Sequence, residues 1–231
     1  PEDPAEALKV AGGEFGYMAA LARQRGIEYM PGEPDPHITA EQILRERPDI
    51  SRGDIALHYA LKTLEPLFRN EKTLPIEKVA PYIHHSAGIA GDITVGGWVQ
   101  HVTSRDEVLV MSEKQKAEVV AEMPEIVRNL NNQFKKIQPG VQLLDLQPDG
   151  TLRLLYDLSK SPVTWDPAPE IAGKPVTVIT EISRLDMLMR DRYTLHLIQQ
   201  VLNEGKEPIV AVGNSHITTL RPALDAVFRT G

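Results

Sequence analysis

The residues best placed to do chemistry close the run Ile209-Val-Ala-Val-Gly-Asn-Ser-His216. A near-continuous apolar segment, Pro208–Val212, reads as a strand covered on both faces. It releases into Gly213, where the backbone can turn sharply. Asn214 and Ser215 follow, able to donate to a ligand or to cap the next helix. His216 then arrives at the carboxyl end of a strand, where open α/β sheets collect their ligands. An imidazole with a pKa near 6.5 serves there as a general acid or base, or as a metal ligand. The structural alternative is a histidine that only hydrogen-bonds at a helix N-terminus.

Two further groups could work with it. The helix before the strand places Met187, Asp191, Thr194, Leu195, Ile198, Val201 and Leu202 on one face. Asp191 therefore interrupts an apolar stripe, where an isolated carboxylate is very costly and has to be paired. Arg190 sits at the margin of that stripe, about 100° round the helix from its neighbour. Either residue could instead anchor a loop. Near the other end of the chain, Tyr29-Met-Pro-Gly-Glu-Pro-Asp35 puts Glu33 just past a short strand, between prolines that fix its backbone direction. Glu33 is thus a cleft carboxylate or a solvated turn acid. His84-His85 borders a Gly-rich stretch, Ala87–Thr103, that reads as a loop able to bring ligands over a site. Asp54 and His58 share a helix face, but Asp54 is already the acidic partner of a Ser51 capping box.

Positioning these groups falls to recognisable elements. An amphipathic helix built on Ala7, Leu8, Ala11, Phe15, Met18, Ala19 and Ala22 stops at Gly26, and Ile27–Met30 reads as a short strand. Capping boxes at Thr39-Ala-Glu-Gln42, Ser51-Arg-Gly-Asp54 and Ser112-Glu-Lys-Gln115 open three helices, the last two running to about Arg69 and Lys136. A short helix is expected from Leu74 to about Ser86. Val141–Leu146 and Leu152–Leu158 flank the turn Gln147-Pro-Asp-Gly150, so a hairpin fits there. After a Pro-rich connector, Val176–Thr180 is β-branched and reads as a strand. A helix covers Ser183–Asn203 and stops at Gly205, and a final helix covers about Thr218–Arg229. The expected fold class is α/β, a mostly parallel sheet flanked by helices. It would form one domain over 1–231, with 51–140 as a helical insertion or cover.

Composition narrows the function classes. With 25 Lys+Arg against 32 Asp+Glu, the net charge is −7, and no basic cluster offers a footprint for nucleic acid. The absence of cysteine excludes disulfides, Cys-ligated zinc, iron–sulfur clusters and a thiol nucleophile. No apolar run is long enough for a transmembrane segment. Neither a P-loop nor a Gly-x-Ser-x-Gly elbow is present. The partner expected is a small-molecule or peptide substrate, with the oligomeric state open. The chain begins Pro1-Glu2-Asp3-Pro4 without an initiator Met, as the interior of a longer precursor would. An exported or periplasmic location is favoured if a signal or lipoprotein segment precedes it.

Arg190-Asp191, a helix's length ahead of an apolar strand closing in Gly213-Asn214-Ser215-His216, resembles a known C-terminal signature. It is that of the superfamily grouping erythromycin esterases, ChaN-like haem-binding proteins and the TraB/GumN/Tiki proteins. Gly13-Glu-Phe-Gly-Tyr-Met-Ala-Ala-Leu-Ala-Arg-Gln-Arg-Gly26 through Gly32-Glu33-Pro34 is similar to its early helix and strand. The resemblance covers the two ends of the chain and leaves 51–176 outside it. It implies an α/β core in which Glu and His residues from both chain halves meet in one cleft. It further implies a hydrolase, in some members with a divalent metal, or haem binding as in the ChaN branch. Carried across, His216 is the C-terminal histidine and Glu33 the cleft carboxylate, both also the metal donors. Arg190 is the charge-stabilising residue. A further His and Glu of the family would lie upstream of Pro1. In the ligand-binding alternative, His216 or the His84-His85 pair supplies the axial ligand to haem.

Overall fold

The computed structural model describes residues 14–28, 30, 34–89, 111–158, 175–210, 220–221 and 224–225. The chain divides into two compact units, one of Pro1–Pro34 with Leu188–Gly231, the other of Asp35–Met187. The boundary between them falls inside a long helix, Val178–Asn203.

The unit 35–187 begins with α2, Pro36–Glu46, counting as α1 the helix Glu14–Gln24 of the other unit. The expected Thr39 capping box does not form. Asp35 is the N-cap instead, its carboxylate accepting from the His37 N–H at 2.8 Å. Pro36 dictates this start, because its fixed φ suits the first helical position and its missing N–H is not needed there. Thr39 is left buried in the first turn, donating to the Asp35 carbonyl.

The Ser51 capping box opens α3, Arg52–Leu67, and closes both ways: Asp54 N–H to Ser51 Oγ at 3.1 Å and Ser51 N–H to Asp54 Oδ2 at 3.0 Å. Every residue from Ile55 to Leu61 of α3 is buried. A helix covered all round must be central, and α3 packs against both α4, Ile76–Gly88, and α5, Glu113–Ile137. The Ser112 box starts α5, whose Val119, Met123, Ile126, Val127, Leu130 and Phe134 form one buried stripe. The helix expected from Leu74 starts later, because Thr73–Pro75 is a strand, β1, and Pro75 then serves as the N-cap of α4. The helix α4 also takes in Ala87 and Gly88, the start of the expected loop, whose residues from Ala90 onwards lie outside the described part.

A small sheet closes the unit. The strands β2, Leu144–Leu146, and β3, Thr151–Leu154, form the expected hairpin, with Leu144 opposite Leu154 and Leu146 opposite Leu152. The Gly150 N–H donates to the Gln147 carbonyl at 3.1 Å, with Gly150 at φ +80°, a value that favours glycine. The order is β1-β3-β2 and both pairings are antiparallel. Pro75 lies on an edge strand, where a missing N–H is tolerated. Asn131 of α5 ties helix layer to sheet. Its Oδ1 accepts from the N–H groups of Leu143 and Leu144, both at 2.9 Å, and its Nδ2 donates to the Leu144 carbonyl at 2.8 Å.

The protein is therefore a mixed helix-and-sheet fold, mainly helical, but the mostly parallel sheet is not what the described residues contain: their one sheet is small and antiparallel. Two of the expected strands account for the difference. Val178–Thr180 opens the helix α6, Val178–Asn203, rather than a strand. Thr177 and Thr180 cap each other reciprocally, N–H to Oγ1 at 3.2 and 3.4 Å, and Ile179 and Thr180 are fully buried. Burial and capping outweigh β-propensity here. Pro208–Val210 is not strand either, and Ile209 is 83% exposed, with no neighbouring strand among the described residues to cover it.

In the unit of the two chain ends, α1 and the C-terminal part of α6 finish alike. Gly26 at φ +64° and Gly205 at φ +71° each close a Schellman turn: Ile27 N–H to Ala22 O at 2.9 Å, and Lys206 N–H to Val201 O at 3.1 Å. The two exits are joined by Lys206 Nζ and Glu28 Oε2 at 3.0 Å. Ile27, Glu28 and Met30 carry no strand. Leu220, Arg221, Leu224 and Asp225 are helical within the expected last helix. Among the described residues, no helix is long and apolar enough to cross a membrane.

Candidate functional site

Of the sequence-predicted site residues, Glu33, Gly213, Asn214, Ser215 and His216 lie outside the described residues. Arg190 and Asp191 are in the middle of α6 and within the unit of the chain ends. Asp191 is buried at 4% exposure, as its place on an apolar stripe predicts. Arg190 is half-buried, its Nε enclosed, and its carbonyl accepts the Thr194 hydroxyl at 3.0 Å. Neither residue stands without a partner, although Arg190 Nε and Asp191 Oδ2 are themselves enclosed without a hydrogen bond.

His84 and His85 are not loop residues; both stand in α4. His84 is buried at 2% exposure, and its Nε2 meets Glu122 Oε2 of α5 at 3.0 Å. Burial lowers its pKa, against an opposing pull from Glu122. That ring nitrogen is engaged as a helix-to-helix tie. Among the described residues no three His, Asp or Glu converge as a metal would need, and the donors named for a divalent ion, Glu33 and His216, lie outside them.

The unit 35–187 holds a polar cluster that the sequence reading passed over. The Tyr59 hydroxyl of α3 donates to Asp186 Oδ1 of α6 at 2.9 Å, and Lys62 Nζ donates to Asp186 Oδ2 at 3.1 Å. Lys62 also lies 5.6 Å from the centre of the Tyr59 ring. Asp186 is 5% exposed and His58, beside Tyr59, is fully enclosed. A signal existed: Ile182, Asp186 and Met189 follow a helical i, i+4, i+7 stripe, so Asp186 interrupts it as Asp191 does another. A groove of about 280 Å³ between α3 and α5 is lined by amides of Asn129, Asn132 and Gln133 with Lys136 and Gly53. It contains no acid–base pair.

No family model matches this chain, and no curated protein or solved structure matches it either.

Proposed function

We propose that the chain is a hydrolase-like protein of the erythromycin esterase/ChaN/TraB type, acting on an ester or amide. Glu33 or His216 would activate water, directly or on a divalent metal, and Arg190 would stabilise the developing oxyanion. Asp191 would orient the arginine-bearing stretch from its buried place on α6. Gly213, Asn214 and Ser215 would shape the ligand-binding turn.

The observation that carries this reading is the Lys206–Glu28 contact at 3.0 Å. It joins two helix exits, one from each end of the chain, in the same compact unit as Arg190 and Asp191. A half-buried guanidinium next to a buried carboxylate supplies the charge that acyl transfer uses.

The experiment is an esterase and peptidase screen of the purified full-length protein with metal analysis, repeated on Glu33→Gln, Arg190→Gln and His216→Ala. Hydrolysis that falls at least about a hundredfold in each folded variant supports the reading, as the loss of one oxyanion donor or acid–base group does elsewhere. Activity unchanged in all three overturns it. A Soret band on haem titration that disappears in His216→Ala, without hydrolysis, would replace it by ligand binding of the ChaN type.

A further inference from the structure

His58 is the one enclosed imidazole among the described residues with no well-formed hydrogen bond at either ring nitrogen, and of the backbone only Ile179 lies near enough to favour its charged form. Buried polar groups are ordinarily satisfied, and one that is not is expensive and asks for a reason. Its surroundings are known in detail. The Tyr59 ring meets it edge-on, with centroids 5.0 Å apart. Lys62, one turn further along α3, disfavours a positive charge on it, whereas Asp186 and the backbone of Ile179, both on α6, favour one. Asp186 is already occupied by Tyr59 and Lys62. Of the other helices packed on α3, α4 brings His84, which is paired with Glu122 of α5.

We propose that His58 is an acid-operated latch between α3 and the first part of α6, Val178–Met187. Neutral, the ring packs as an aromatic core residue and α6 stays seated. Protonated, it carries two N–H donors and a charge in a fully enclosed place, where the Ile179 backbone can take at most one of them. It must then take Asp186 from Tyr59 and Lys62, or reach solvent by lifting α6 from α3. Either way the Tyr59–Asp186 and Lys62–Asp186 bonds that hold the helices together are the ones disturbed. The latch lies in the unit 35–187 and does not depend on the hydrolase reading.

The direction follows from proton linkage. Burial lowers the pKa of His58 to about 3, so the open form binds the proton first. The closed state is therefore fully favoured above the ordinary pKa of about 6.5 and loses ground as pH falls below it, by close to tenfold per pH unit.

The test uses the full chain. Amide exchange of residues 178–187, corrected for intrinsic rates, gives the opening constant between about pH 7 and 4, and histidine ring resonances follow the proton. In the wild type the opening constant should rise about tenfold per unit below about pH 6. In His58→Leu and His58→Phe that slope should vanish, while His84→Asn should keep it. A His58 variant with the wild-type slope overturns the latch. So does a His58 ring in the wild type that titrates near its ordinary pKa while α6 remains protected, an observation that stands even if both variants fail to fold.

Discussion

The Lys206 ammonium and the Glu28 carboxylate meet at 3.0 Å, each within two residues of the glycine that ends its helix. The pair is exposed, so its effect depends on charge rather than burial. Reversal of either residue, Glu28→Lys or Lys206→Glu, should lower the thermal midpoint at low salt, and the double reversal should restore part of the loss, because Lys206 also pairs with Glu204 at 2.9 Å. At about 1 M salt, where screening acts within about 3 Å, the variants should converge. Midpoints that do not respond to the double reversal would mean that the two helix exits are held together by something else.

Asn131 gives a larger effect because its partners are buried. It is 6% exposed and satisfies two backbone N–H groups and one carbonyl of the segment entering β2. Asn131→Ala leaves the two N–H groups without a partner inside the protein, at about 1–3 kcal/mol for each unsatisfied donor, while the Leu144 carbonyl keeps Gln142 Nε2 at 3.0 Å. A loss of roughly 3 kcal/mol in denaturant unfolding is expected, with β2 and β3 losing amide protection first. A loss under about 0.5 kcal/mol, the scale of an ordinary surface substitution, would contradict this account.

What was legible in the sequence was local. The Ser51 and Ser112 boxes and the stops at Gly26 and Gly205 are short-range devices whose partners lie within five residues, and all form. The misreadings needed distant partners. Ile27–Met30 and Pro208–Val210 have strand composition, yet a strand exists only where another pairs with it. Val178–Thr180 is β-branched but is fixed as helix by the Thr177 cap and by burial of Ile179. Asp191 was identifiable because it breaks an apolar stripe. The same test applied to Asp186 would have found the α3–α6 cluster, but its partners Tyr59 and Lys62 are more than 120 residues away and leave no trace in spacing.

Gly53 tests how a tight contact resolves. A Cβ built on it would overlap the side-chain amide of Gln133, which reaches across from α5 toward Ser51 at 3.3 Å. The obstacle is the far end of a flexible side chain, and only a long hydrogen bond is lost when it swings aside. Alanine, in turn, gains up to about 1 kcal/mol over glycine inside a helix. Gly53→Ala should therefore be neutral or stabilising by a few tenths of a kcal/mol. Destabilisation by more than about 1 kcal/mol would show that Gln133 cannot move.

The Tyr59–Asp186 bond ties α3 to α6 inside the protein, with a carboxylate as one partner. Hydrogen bonds to charged groups contribute about 1.5–3 kcal/mol, and Tyr59→Phe removes this one without creating a cavity. Lys62 remains to hold the other oxygen of Asp186, so the expected loss is about 2 kcal/mol rather than the cost of an unpaired buried charge. Asp186→Asn keeps the shape but releases Lys62, and should cost at least as much. The effects should not add fully, because Asp186→Asn weakens to a neutral pair the same bond that Tyr59→Phe removes. A double-mutant cycle should return a coupling of about 1–2 kcal/mol. Additive losses would mean that Tyr59 and Asp186 stabilise the unit through separate neighbours.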